Sequence, residues 1–273
     1  DRRGIVKRIA KCFDALRSRN EKALVAFITA GDPDLAATRD LFKVVEENGA
    51  DIIELGVPFS DPLADGPVIQ AASQRSLKSG TTLKKIIRLV QDIRQTSQLP
   101  IVLMTSFNPV FVYGQEQFIN DAVQAGVDGV IVPDLPLEEA GDFNALADSR
   151  GLDMIFLLAP TSTPERVDRT ARQSKGFIYY ISVTGVTGVR GGPLADGLGA
   201  KMKRVKQATS LPVLIGFGIS GPEQARQASK ISDGVIVGSA LVKIIAQYQD
   251  AEERNTRLGA LVKEMKQAVQ NGQ

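Results

Sequence analysis

The sequence predicts an α/β fold, a single (βα)8 barrel with an extra helix at each end. Three observations predict it: eight short apolar runs recur along the 273 residues, longer stretches of helical periodicity separate them, and no composition shift or linker divides the chain. Continuous rather than alternating apolar runs are what parallel strands buried on both faces require. A repeated strand-then-helix order, in a chain near the roughly 250 residues that TIM barrels take, favours one domain spanning residues 1–273 over two. An open doubly wound sheet is the alternative, but no GxGxxG run opens the first strand-to-helix turn.

Segment 5–18 has a helical pattern and holds the single cysteine, Cys12; it reads as an addition packing on or beside the barrel. The predicted strands lie at 24–29, 51–55, 101–105, 129–132, 154–158, 177–182, 213–216 and 234–237. Helical patterns at 36–48, 83–96, 116–125, 137–150, 164–173, 198–208 and 222–229 fall between them, and 251–269 forms a trailing helix. Boundary residues agree: Pro164 and Pro222 stand where a first helical turn accepts proline, and Gly49, Gly126 and Gly151 stand just past helix ends.

Composition narrows the chemistry. The chain has no histidine, which excludes Ser-His-Asp and Cys-His nucleophiles, His-ligated zinc and imidazole acid/base catalysis. Proton transfer therefore falls to carboxylates, Tyr, Lys or Cys. No metal site is expected. A lone Cys12 cannot form an internal disulfide and reads as structural, in a reducing compartment. Net charge is +2 with both signs scattered, so no basic stripe invites nucleic acid. No apolar run reaches the roughly 18 to 20 residues of a membrane span. The first residue is Asp1 rather than Met, which leaves a trimmed leader open.

In a barrel the reacting groups sit where strands end, and the second strand offers a carboxylate there. Glu54 lies inside the apolar run 51–56, where an ionised carboxylate is costly unless paired. Desolvation would raise its pKa toward what a general acid needs. A structural carboxylate bonded to a neighbouring backbone or hydroxyl group is the plainer alternative. Asp61 and Asp65 follow in the loop 57–67, whose three prolines restrict its backbone; each alone is more often a turn residue. Together with Glu54, Asp65 could divide the work, one group protonated and one ionised. Asp128 and Asp134 flank the fourth strand, and Asp134 is expected to cap the helix that follows it. Tyr179, in the sixth run, could bond a catalytic carboxylate or point into the barrel.

Glycines mark the opposite side of the rim. Residues 185–192, GVTGVRGG, resemble a lid by composition. The seventh run ends in GFGIS (216–220), and the eighth in GSA (238–240), which leads into a helix starting near Leu241. Glycines let backbone amides approach an anion, and a helix N-terminus adds partial positive charge. Phosphate binding after the last two strands recurs in such barrels. Alternatively, these glycines serve only tight helix packing.

The run 54–70, ELGVPFSDPLADGPVIQ, together with TAGDP (29–33), VPD (132–134), GVTG (185–188), GFGIS and GSA, resembles the tryptophan synthase alpha subunit over essentially the whole chain. The resemblance implies a lyase that cleaves indole-3-glycerol phosphate to indole and glyceraldehyde 3-phosphate by a retro-aldol reaction. It implies Glu54 as the acid/base, Asp65 holding the indole N–H, Tyr179 positioning Glu54, and Thr187 closing the loop over the site. Gly188, Gly218, Gly238 and Ser239 would bind phosphate, and Phe27, Leu103 and Phe217 would line the indole pocket. No cofactor is implied in this chain. Pyridoxal phosphate is expected in a partner beta subunit of an alpha-beta-beta-alpha heterotetramer, which the 58–62 stretch and Asp61 would contact. Location would be cytoplasmic, or the plastid stroma if a leader was removed. Ser106 stands where family members often carry Tyr, which implies a less aromatic pocket. A free-standing lyase that releases indole, and a mainly regulatory phosphate-binding subunit, are the other functional readings.

Overall fold

A computed structural model describes residues 7–61, 65–182, 197–216 and 218–272. Its strands are β1 (Ala23–Thr29), β2 (Ile52–Gly56), β3 (Ile101–Met104), β4 (Gly129–Ile131), β5 (Asp153–Met154), β6 (Leu157–Leu158), β7 (Ile178–Ile181), β8 (Val213–Gly216) and β9 (Gly234–Val237). Each pairs in parallel with its neighbours, in the order β5-β4-β3-β2-β1-β9-β8-β7-β6. The two edges, β5 and β6, are halves of the single run predicted at 154–158. Between them the Ile155 N–H donates to Val130 O at 3.0 Å, and Phe156 O accepts from the Tyr179 N–H at 3.1 Å. One stretch of chain thus joins both edges, and the sheet closes into the predicted barrel. The fifth run is divided because its first half bonds β4 and its second half bonds β7.

The helices are α1 (Arg8–Ser18), α2 (Leu35–Glu47), α3 (Pro67–Lys78), α4 (Leu83–Ile93), α5 (Phe107–Tyr113), α6 (Gln115–Ala125), α7 (Gly141–Arg150), α8 (Pro164–Gln173), α9 (Leu198–Ala208), α10 (Pro222–Ser229), α11 (Ser239–Gln247) and α12 (Ala251–Gln270). Side chains of Asp34, Thr82, Thr163 and Asp250 accept first-turn amides of α2, α4, α8 and α12. Gly126 and Gly151 end α6 and α7 in the left-handed conformation, at φ of 96° and 83°. Helices α3 and α5 add to the periodic stretches read from sequence, and α11 begins two residues before Leu241. Among the described residues no helix is long and apolar enough to cross a membrane.

Alternation along each strand divides the core into two shells. Inside the barrel lie Val25, Ile52, Val102, Ile131, Ile155, Tyr179, Leu214 and Ile236, and Ile9, Phe13 and Leu16 of α1 pack among them. The leading helix is therefore a plug in the barrel. Outside, Leu24, Ile28, Ile53, Leu55 and Leu103 meet the helices. Fully burying one such side chain stabilises the fold by about 1.5–3 kcal/mol.

Aspartates tie the N-terminal ends of the strands. Asp51 accepts the Leu24 N–H at 2.7 Å and the Lys266 ammonium at 2.7 Å. Asp128 accepts the Ile101 N–H at 2.8 Å, Arg94 at 2.6 Å and Arg8 at 3.0 Å. Asp233 accepts the Val213 N–H at 2.9 Å and Lys206 at 2.6 Å. Asp128 is thereby a structural group. Cys12 donates to Asp51 O at 3.4 Å, and burial pushes its thiol up to about 12, so it stays protonated.

Candidate active site

Glu54 is the third residue of β2, in the inward phase with Ile52, and is 1% exposed. Among the described residues neither carboxylate oxygen has a hydrogen-bond partner. Burial, and secondarily the nearby Asp65 charge, push its pKa up to about 8. The group is a carboxylic acid at neutral pH, able to give up a proton. Asp65, half-buried, lies in the segment that leads into α3, and burial raises its pKa as well. Helix α3 anchors it: the Gln70 amide donates to Asp65 O at 2.8 Å.

Tyr179 enters from β7, 4% exposed, with its phenol raised well above its ordinary range by burial and then by Glu54 and Asp65. Its ring occupies the space over Gly216: a Cβ built there would stand 2.5 Å from the phenol oxygen. The three predicted catalytic side chains thus share one electrostatic environment.

A cavity of about 180 Å³ lies at the C-terminal ends of β1 to β4; Asp65 is on its wall with Phe27, Gly56, Asp61, Met104 and Asp134, whereas Glu54 and Tyr179 are not among its lining residues and Glu54 lies two positions before Gly56 on the same strand. Phe27 packs against Gly56 on one side and approaches Gly238 on the other, linking the cavity to the end of β9. Gly238 precedes α11 and Ser239 begins it, exposed. The amides of Leu241 and Val242 return to Gly238 O, whereas those of Ser239 and Ala240 precede the first intrahelical bond and face outward from the helix start. Gly218, exposed with φ of 74°, lies just past β8, the neighbour of β9. Thr187, Gly188 and Phe217 lie outside the described residues.

Two sequence expectations are corrected. Leu103 does not line the pocket: it belongs to the outer shell, and Met104 is the β3 residue on the cavity wall. Every residue of β3 is apolar, so the sequence carried no sign of which alternate positions face inward. Asp134 does not cap the helix after it; it accepts the Phe107 N–H at 2.8 Å, at the start of α5 on the preceding strand-helix unit. Met104 and Thr29 are cavity residues that sequence reasoning missed. A period-two count starting from Glu54 and carried across the sheet register would have found Met104, since Glu54 pairs with Val102 and Gly56 with Met104.

Among the described residues no group of three or more Cys, Asp or Glu side chains could hold a metal ion. Fold and site together define a (βα)8-barrel enzyme with paired, partly desolvated carboxylates at the C-terminal rim. The family model for the tryptophan synthase alpha chain matches residues 13–270. The tryptophan synthase alpha chain of Citrifermentans bemidjiense is 55% identical over 98% of this chain and 99% of its own, and that of a Synechocystis strain is 48% identical over 96% and 98%. The crystal structure of the alpha subunit from Legionella pneumophila superposes with a TM-score of 0.90 at 37% identity, covering 97% of this chain and 99% of that one. The chain belongs to the tryptophan synthase alpha chain family, and is a lyase of tryptophan biosynthesis that cleaves indole-3-glycerol phosphate.

Proposed function

We propose that Glu54 is the acid/base of this cleavage. As a neutral acid it gives its proton to indole C3, which turns the ring into an electron sink. The resulting carboxylate takes the proton of the glycerol hydroxyl as the carbon-carbon bond breaks. The bond pair returns to the ring, leaving indole and glyceraldehyde 3-phosphate. Asp65, ionised, accepts the ring N–H and favours the positive charge that develops there. Tyr179 positions Glu54. Phe27 and Met104 supply the apolar walls, with Phe217 completing them. Gly188, Gly218, Gly238 and Ser239 bind the phosphate, and Thr187 closes the loop over the site.

The observation that carries this assignment is Glu54 itself: a buried carboxyl whose two oxygens have no partner among the described residues, near a second carboxylate. The steps require a carboxylic acid, a carboxylate and an apolar wall, and no cofactor of this chain. Pyridoxal phosphate belongs to the beta subunit, the partner in an alpha-beta-beta-alpha assembly in the cytoplasm. Exposed Phe111 and Val112 on α5 and exposed Asp61 at the cavity support a protein partner on this rim.

Indole release from indole-3-glycerol phosphate by the purified chain, with and without a beta subunit, is the test. Glu54→Gln is expected to lower it by at least about a hundredfold; activity surviving within a few fold removes the assignment. Asp65→Asn is expected to lower turnover and leave phosphate affinity nearly intact.

A further inference from the structure

Thr29 closes β1 at the cavity wall. Ala23 and Val25 point into the barrel and Phe27 into the cavity, whereas Leu24, Ala26 and Ile28 face the helices, so Thr29 is in the inward phase and lines the cavity. It is 2% exposed, and its Oγ1 has no hydrogen-bond partner among the described residues. Folded proteins rarely leave a buried hydroxyl unpaired; where one persists at a binding cavity, its partner is sought in the working state.

The charged groups around it are acidic. Asp61, Asp65 and Asp134 line the same cavity, Glu54 lies on the adjoining strand, and Tyr179 faces Glu54 and Asp65 from β7. Among the described residues no Lys or Arg lines the cavity. With no cation on this wall among the described residues, a hydroxyl is a donor available to stabilise an ionised Asp65.

Thr29 and Asp65 are also held in one frame. Ser76 Oγ of α3 donates to Ala30 O at 2.6 Å, Ser79 Oγ to Gly31 O at 3.2 Å, and Arg75 grips Asp32 at 2.7 and 2.8 Å. The turn after β1 is thus fastened to the helix whose Gln70 holds the Asp65 backbone.

We propose that the Thr29 hydroxyl donates a hydrogen bond to the Asp65 carboxylate in the substrate-loaded cavity, making Thr29 a positioning residue for the group that accepts the ring N–H. It rests on Asp65 acting as proposed. Thr29→Val keeps the side-chain volume and removes the donor; Thr29→Ser keeps the donor and removes a methyl group. The chain and both variants are assayed for kcat, KM and the pH profile of kcat/KM, beside Glu54→Gln.

Thr29→Val is expected to lose about tenfold or more in kcat, with KM moved less than about threefold, and the acidic limb of the profile to rise by about one pH unit. Thr29→Ser is expected to stay within about threefold with the limb in place. Should Thr29→Val fail to fold, Thr29→Ala carries the same expectation without added bulk. Wild-type rates with an unmoved limb in Thr29→Val overturn the proposal, as does an equal loss in Thr29→Ser, which assigns the effect to packing. If instead Glu54→Gln remains active, the assignment of the site falls first and this one with it.

Discussion

The Phe27 ring lies against Gly56 of the adjoining strand: a Cβ at Gly56 would stand 2.5 Å from Cζ and 2.7 Å from Cε2 of that ring. The absence of a side chain at Gly56 sets where the aromatic wall of the cavity stands. Gly56→Ala is expected to push the ring out of place, raising KM for indole-3-glycerol phosphate about tenfold and costing about 1–3 kcal/mol of stability. Steady-state kinetics and urea unfolding check it; an unchanged KM contradicts the packing argument.

Glu54 also makes stability depend on pH. Its folded pKa of about 8 stands above its ordinary 4.5, so folding favours the protonated form. The stabilisation is fully present below pH 4.5 and is lost as pH rises through about 8, by up to several kcal/mol. Urea unfolding of the wild type across this window is expected to lose stability relative to Glu54→Gln, which lacks the titration. Parallel curves for the two proteins would show that Glu54 ionises as readily in the fold as outside it.

Leu103 and Met104, adjacent in sequence, face opposite sides of the sheet. Leu103→Ala is expected to cost about 2–5 kcal/mol while leaving KM unchanged. Met104→Ala is expected to raise KM at a smaller cost in stability. Reversal of that pattern in paired melting and kinetic measurements would restore Leu103 to the pocket.

At the other end of the barrel, Asp128 neutralises Arg94, whose side chain is only 8% exposed, and Arg8. Asp128→Ala leaves a buried cation without its carboxylate and is expected to cost about 3–5 kcal/mol. Activity per folded molecule, measured at low temperature after quantifying the folded fraction, is expected to hold, because the strand N-terminal ends serve stability.

Much of this architecture is legible in the sequence because strands buried on both faces leave unbroken apolar runs. That same continuity hides the phase of each strand, so nothing in the all-apolar β3 run could correct the resemblance's assignment of Leu103 to the place where Met104 stands. The division of the fifth run was hidden for a related reason: Asp153 to Leu158 reads as one run, and only the change of partner between β4 and β7 divides it. Glu54 was legible as a charge in an apolar strand, and Asp65 through its place in a proline-restricted loop. Asp134 misled because capping was expected from chain proximity, whereas its acceptor serves a helix 27 residues upstream. Thr29 opens the TAGDP run but carried no role there: a threonine at a strand end is ordinary until its hydroxyl is found buried and unbonded among the described residues.

Asp61, Asp65 and Asp134 line the cavity, and no described Lys or Arg lines it with them. If Asp65 acts as proposed, these carboxylates would serve as a compass for an elongated ligand bearing a dianion at one tip and a neutral heteroaromatic at the other. Their charge would repel the anionic tip and not the ring, so field as well as shape would favour one way round for the molecule. After the bond breaks, the uncharged fragment feels no such field and can depart by a different route from its anionic counterpart.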